Sequence, residues 1–132
     1  MQRLAHAPAA PPPRQSWLGT DPRSVRLTGC LLGLLACAVF LPAVRCGFVD
    51  WDDTAYVSEN PLVMGGLSAA GIRDACTRVV FGFWAPLTIL SYQLDATLLG
   101  RAPWGFHLTN VLLHGASTGL LYVALLRMTG AP

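Results

Sequence analysis

Two long apolar runs constrain this chain more than any other feature of its sequence. Residues 27–44 and 106–127 are each long enough, at about 1.5 Å of rise per helical residue, to cross a hydrocarbon layer about 30 Å thick. Apolar residues make up 53% of the 132-residue chain and charged residues only 12%, which lies outside the usual range of water-soluble domains. The sequence therefore predicts an all-α membrane protein with two transmembrane helices.

The remaining segments predict a tail at each end and a loop between the two helices. Residues 1–26 are rich in Ala, Pro and Arg and lack hydrophobic periodicity, which predicts a disordered cytoplasmic tail. Residues 45–105 predict an outer loop that carries short interfacial helices at about 68–80 and 86–99. A second tail is predicted at 128–132. The two predicted transmembrane helices form a small bundle whose stability depends on neighbouring helices.

The arginines predict how the chain is oriented. Arg23 and Arg26 precede the first apolar run and Arg127 follows the second, so the positive-inside rule places both termini in the cytoplasm of a bacterium or on the cytoplasmic side of the endoplasmic reticulum. Arginines within the loop count against this orientation. A cleavable signal peptide is the alternative interpretation of the first run, but the long, proline-rich region before it disfavours cleavage. Nothing in the charge pattern indicates nucleic-acid binding.

The second interfacial helix has an apolar side and a polar side. Four leucines recur at helical spacing on one side, and three polar residues share another, which fits a helix that lies in the interface or against a polar cavity. The leucines are Leu87, Leu90, Leu94 and Leu98, and the polar residues are Thr88, Ser91 and Asp95. Three tryptophans, Trp51, Trp84 and Trp104, lie where the chain meets the interface, as in the aromatic belts of membrane proteins.

Acidic residues cluster directly after the first apolar run. Four of the seven acids fall between Asp50 and Glu59. Carboxylates crowded beside a low-dielectric surface suit a general base or a divalent-cation site, and Asp52 and Asp53 are the candidate catalytic pair. A divalent cation is the one cofactor that these acids suggest. Two alternatives stay open: a solvated turn, and a cation-binding or sensor module formed by the four acids, although the glycine of an EF-hand loop is missing.

Polar residues also recur along the second apolar run. His107, Asn110 and His114 follow one another at i, i+3 and i+7 and therefore share one stripe of the helix. Polar groups inside a membrane either hydrogen-bond to a neighbouring helix or serve a function. For Asn110 we favour contact between helices, and the spacing disfavours a metal site built on the two histidines.

Ordered motifs run through the loop and into the second helix. They are Asp52-Asp53-Thr54-Ala55-Tyr56, Glu59-Asn60-Pro61, Pro86-Leu87-Thr88, Ser91, Leu94-Asp95, Gly100, His107-Leu108-Thr109-Asn110 and Leu113-His114. This pattern resembles the membrane-embedded C-type glycosyltransferases fused to tetratricopeptide repeats and is similar to transmembrane O-mannosyltransferases. The chain departs from that pattern at Ala85, where relatives often have His, and at Ile89, where they often have Trp.

The resemblance implies a multi-pass enzyme that transfers a sugar, often mannose, from a polyprenyl-phosphate carrier to Ser or Thr hydroxyls of a protein. It assigns catalysis to Asp52 and Asp53. It assigns substrate binding to Tyr56, Asn60, Pro86, Asp95 and His107. Such enzymes need more transmembrane helices and a repeat domain, so the chain is interpreted as an N-terminal fragment that is inactive without the rest. The alternative is a small two-helix membrane subunit or scaffold without catalytic activity.

Overall fold

The computed structural model describes residues 21–129. Two long helices, α1 (Pro22–Phe40) and α5 (Pro103–Thr129), enclose four short helical segments. A 3-10 helix, Leu41–Arg45, continues α1. The short segments between the long helices are a π-helix (Thr54–Ser58), α2 (Pro61–Met64), α3 (Ala69–Thr77) and α4 (Pro86–Leu98).

The described part of the chain, residues 21–129, contains no β-strand, which confirms the predicted all-α class. Two helical stretches, Pro22–Arg45 and Pro103–Thr129, are long and apolar enough to cross a membrane, and short helices separate them as predicted. The fold is therefore a helical hairpin with a folded insertion between its arms.

The first long helix begins at Pro22, earlier than the predicted position 27. The Asp21 side chain accepts a hydrogen bond from the Arg23 backbone N–H at 3.2 Å, and proline suits the first helical position because its missing N–H would have no partner there. Hydropathy marks the apolar part of a helix and not its cap. The rest of the predicted tail, residues 1–20, lies outside the described residues.

The arms of the hairpin pack through facing glycines. A Cβ atom added to Gly33 would lie 2.8 Å from the carbonyl oxygen of Gly115, and one added to Gly119 would lie 2.8 Å from that of Gly29. The Cys37 thiol donates to the Val111 carbonyl oxygen at 3.6 Å on the same seam. Small residues four apart let the backbones of membrane helices approach closely, and this contact stabilises the hairpin.

The insertion has a small core of its own, which packs on the start of α5. Its buried apolar residues are Val57, Val63, Ala75, Ile89 and Phe106. The fully buried Gln93 of α4 connects the neighbouring helices, because its Nε2 donates to the carbonyl oxygens of Leu62 at 3.0 Å and Gly71 at 3.2 Å. The loop is therefore a compact layer held against one end of the hairpin.

Helix α4 buries two polar residues and exposes two leucines, whereas a surface helix of a water-soluble protein exposes its polar side. Its buried residues are Ile89, Gln93 and Asp95, whereas Leu87 and Leu98 are exposed over most of their surface. Gln93 and Asp95 can be buried because each has a hydrogen-bond partner. Leu87 and Leu98 are left for lipid or another helix, whereas Leu90 packs against the core of the insertion.

Candidate functional site

The acidic segment folds as a tight helical turn directly after the 3-10 helix. Asp53 Oδ2 accepts a hydrogen bond from the Val49 backbone N–H at 3.0 Å, and Asp50 Oδ1 accepts one from the Thr54 hydroxyl at 3.2 Å. The chain then widens into the π-helix Thr54–Ser58, a conformation that is frequent at functional sites. These bonds hold the backbone around the acids in one conformation.

The two predicted catalytic acids have different surroundings. Asp52 is exposed, and no group within residues 21–129 donates a hydrogen bond to its carboxylate. Asp53 is half-buried, and one of its oxygens is occupied by the Val49 N–H. Asp52 is thus free to accept a proton from a bound molecule, whereas Asp53 is fixed to the loop backbone.

A groove of about 590 Å³ lies beside these acids without including either of them. Its charged lining comes from Asp50, Glu59 and Arg78, and its aromatic lining from Trp51 and Phe81. Asp50 and Glu59, the first and last acids of the cluster, therefore line this groove, whereas Asp52 and Asp53 do not.

The acids do not converge as cation ligands. Within residues 21–129 no set of three or more His, Cys, Asp or Glu side chains could hold a metal ion. The carboxylates of Asp50 and Asp53 are directed to hydroxyl and amide donors of their own turn. The four acids therefore do not come together as a ligand set within residues 21–129, and the cation-binding module stays a prediction.

Asn60 is a helix cap. Its Oδ1 accepts from the Leu62 backbone N–H at 3.0 Å and its Nδ2 donates to the Tyr56 carbonyl oxygen at 3.3 Å, and the residue is only 7% exposed. The neighbouring Tyr56 is half-buried, with its ring centroid 5.5 Å from that of Phe81. Asn60 positions the acidic segment against α2, and substrate contact by either residue stays a prediction.

Asp95 connects α4 to the second long helix. It is 6% exposed, and one carboxylate oxygen accepts a hydrogen bond from the Thr109 hydroxyl at 2.7 Å. Burial raises the pKa of the Asp95 carboxyl above its usual value, and the Thr109 hydrogen bond opposes that rise. Pro86, the other predicted residue of this helix, occupies its first position.

Tyr92 also belongs to the site, although no pattern in the sequence indicated it. Burial, followed by the negative charges of Asp53 and Asp95, raises the pKa of the Tyr92 hydroxyl. Tyr92 is therefore within electrostatic range of both carboxylates, one from the acidic turn and one from α4. A tyrosine in an amphipathic helix resembles any core residue, so only the tertiary structure identifies this connection.

His107 lies near the start of α5. Its Nε2 is buried and has no hydrogen-bond partner in the described part of the chain. Its ring centroid lies 6.1 Å from that of Phe48, and it lines a pocket of about 230 Å³ together with Asn110 and His114. The three residues of the predicted polar stripe therefore line one pocket between the hairpin arms.

Replacing Asp95 by Asn is expected to stabilise the fold at neutral pH. Because the folded-state pKa of Asp95 is raised, its burial costs little below the ordinary value of 3.8 and costs progressively more as pH rises through the raised pKa. The thermal midpoint in detergent should be higher for Asp95→Asn than for wild type at neutral pH and equal in acid. A Thr109→Val variant should be less stable than wild type at neutral pH. Equal midpoints of Asp95→Asn and wild type at every pH would contradict the account.

The chain is similar to known protein O-mannosyl-transferases. It is 30% identical over 125 residues to "Protein O-mannosyl-transferase Tmtc1" of Drosophila melanogaster, across 89% of this chain and 14% of that protein. It is 35% identical over 98 residues to "Protein O-mannosyl-transferase Tmtc2" of the same organism, across 66% of this chain and 10% of that protein. A 37-residue segment is 51% identical to the human TMTC2, covering 28% of this chain and 4% of that protein.

The chain thus spans about one seventh or less of the length of the curated relatives that it matches. No protein-family model matches it, and no solved structure matches it.

Proposed function

The chain is homologous to the protein O-mannosyl-transferases of the Tmtc1 and Tmtc2 type, and from this relationship we propose that it forms the N-terminal part of a membrane enzyme that mannosylates proteins. The donor is mannose carried on a polyprenyl phosphate, and the acceptor is a Ser or Thr hydroxyl. The observation that carries the proposal is the turn that holds Asp52 and Asp53 at the end of a membrane-spanning helix.

Asp52 is the general base of the proposed reaction. The acceptor oxygen attacks the anomeric carbon of mannose, its proton passes to the Asp52 carboxylate, and the bond from the anomeric carbon to the phosphate oxygen breaks. The products are an O-mannosyl protein and free polyprenyl phosphate. Asp53 is a positioning residue, because its bond to the Val49 N–H fixes the turn that presents Asp52.

The pocket at His107 is a candidate site for the donor's phosphate. A buried ring nitrogen without a partner is unfavourable, and a phosphate oxygen at this position would satisfy it. Asn110 and His114 line the same pocket and could donate to the same group. In this arrangement the lipid tail lies along the hairpin, and the sugar extends towards the acidic turn.

The proposed enzyme is multi-pass, with both termini of this segment in the cytoplasm and the acidic turn on the outer or lumenal side. Arg23 and Arg26 in the first turns of α1, and Arg127 at the end of α5, support this orientation. The remaining transmembrane helices belong to the rest of the enzyme and complete the site, so the segment alone does not catalyse transfer.

A non-catalytic membrane subunit is the second candidate. It is favoured by an apolar groove of about 730 Å³ along the hairpin seam, lined by Gly29, Gly33, Gly115 and Gly119 among other residues. Another helix could pack in this groove, whether from the same polypeptide or from a partner. The two candidates differ in whether membranes that contain the protein gain a sugar transferase activity.

The donor requirement tests the proposed function. Membranes that carry the complete product of the reading frame should transfer labelled mannose from synthetic polyprenyl-phosphate mannose to a Ser/Thr-containing acceptor. In membranes depleted of polyprenyl phosphate, GDP-mannose should give no transfer. Membranes without the protein are the control. Direct use of GDP-mannose, or no transfer from either donor, would reject the proposal.

A further inference from the structure

An apolar turn links α3 to α4. Within residues 79–84, Val80 and Phe83 exchange two backbone hydrogen bonds of 2.9 Å each. The two residues between them, Phe81 and Gly82, have φ angles of 50° and 81°. Two consecutive positive φ angles belong to a tight hairpin turn in which Asn-Gly is the favoured pair. Phenylalanine is an unfavourable residue at the first position, because bulky side chains rarely adopt this conformation.

The aromatic side chains of this turn point away from the protein core, whereas Val80 packs against it. Phe81 is 65% exposed, Phe83 is 67% exposed and Trp84 is 64% exposed. Phe81 contacts Tyr56 on one side only, with 5.5 Å between ring centroids. Residues 79–84 contain no charged side chain. A strained turn that presents this much aromatic surface resembles a surface for a partner more than a solvated loop.

Part of the polar surface of the turn has partners within the protein. The two bonds between Val80 and Phe83 satisfy the backbone of those two residues, and the Trp84 indole N–H donates to the Cys76 carbonyl oxygen at 2.9 Å. The backbone groups of the other four residues of 79–84 have no partner within residues 21–129 and need water or lipid headgroups as partners. The turn can therefore enter the headgroup region, where these groups stay hydrated, at a lower cost than it could enter the hydrocarbon core.

We propose that residues 79–84 insert into the headgroup and upper acyl region of the lipid leaflet next to the loop. The bilayer is within reach, because both ends of the insertion continue into helices that can cross it. Arg78 lies at the base of the turn and pairs with Asp74 at 3.0 Å, but its side chain is 64% exposed, which leaves other guanidinium donors for lipid phosphates. Leu87, in the first turn of α4, extends the exposed apolar surface. The insertion would hold the layer of short helices level with the membrane surface.

Fluorescence of Trp84 in lipid vesicles tests this proposal. With Trp17, Trp51 and Trp104 replaced by Phe, Trp84 is the only tryptophan of the chain. In phosphatidylcholine vesicles, lipid brominated near the carbonyl end of its acyl chains should quench Trp84 strongly, and iodide in the water should quench it weakly. Efficient quenching by iodide with none by brominated lipid would overturn the proposal.

The variant Phe81→Asn separates insertion from folding. Asparagine suits a positive φ angle, so the turn should form at least as well as in wild type, with an unchanged or higher thermal midpoint. Loss of the apolar side chain should remove most of the quenching by brominated lipid. Unchanged lipid quenching in Phe81→Asn would overturn the role of the turn. If quenching by brominated lipid disappears as the number of protein molecules per vesicle rises, a second copy of the chain covers residues 79–84 instead of lipid.

Discussion

Replacing Asp52 by Asn is expected to lower the rate of mannose transfer by about 10²–10⁴-fold, the usual contribution of a general base. The amide has nearly the shape of the carboxylate but cannot take the acceptor proton. Asp52 is exposed, and its carboxylate has no hydrogen-bond donor within residues 21–129, so the fold should not depend on it. The measurement is the initial rate of transfer from polyprenyl-phosphate mannose by the complete product of the reading frame.

Two further variants serve as controls for this effect. Glu59→Gln removes one negative charge from the same exposed segment and should change the rate by no more than several-fold. Asp53→Asn keeps an oxygen that can accept from the Val49 N–H, so its rate should lie between those of Glu59→Gln and Asp52→Asn. An Asp52→Asn enzyme within several-fold of wild type, or a Glu59→Gln enzyme as slow as Asp52→Asn, would contradict the assignment of the base.

Replacing Gly33 by Ala is expected to destabilise the fold. The added methyl group would lie 2.8 Å from the Gly115 carbonyl oxygen, and a backbone atom cannot move aside as a flexible side chain can. We expect the hairpin arms to move apart, which lowers the free energy of unfolding by about 1–3 kcal/mol, the usual cost of overpacking. The measurement is the free energy of unfolding of the chain in detergent micelles.

Gly29→Ala is the matched control on the same helix. Its new methyl group would meet the Gly119 carbonyl oxygen at 3.4 Å, an ordinary contact distance. Both variants gain the same helix propensity, about 1 kcal/mol for Gly to Ala, so the difference between them isolates the close approach. Equal stability of Gly33→Ala and Gly29→Ala would mean that the arms are not in close contact at this position.

Hydropathy was sufficient to predict the two long helices, because length and apolarity decide whether a segment can span a membrane. Amphipathic spacing predicted the two helices that the structure has at Ala69–Thr77 and Pro86–Leu98, but not the π-helix Thr54–Ser58 or α2 (Pro61–Met64). Hydropathy could not reveal the glycine seam. A hydropathy average treats Gly33 and Gly115 as weakly apolar positions, whereas their importance comes from the absence of a side chain. The spacing of four residues was a signal in the sequence that a search for small-residue motifs would have found.

The surroundings of the acids could not be predicted from their spacing. Asp52 and Asp53 are adjacent in sequence, yet a single helical turn leaves one exposed and ties the other to the Val49 N–H. The buried Asp95 carboxylate accepts a hydrogen bond from the Thr109 hydroxyl, fourteen residues away in the sequence. The Tyr92 hydroxyl comes within electrostatic range of the Asp53 and Asp95 carboxylates only in the folded structure. Such relations come from tertiary contacts, and periodicity contains no information about them.

The most direct test of the central claim measures donor binding and mannose transfer in the same Asp52→Asn sample. If Asp52 acts as the base, the variant should bind polyprenyl-phosphate mannose as tightly as wild type and fail to transfer the sugar. Normal transfer by this variant would show that the acidic turn is not the site of the reaction. Loss of donor binding together with transfer would assign Asp52 to substrate binding and not to proton removal.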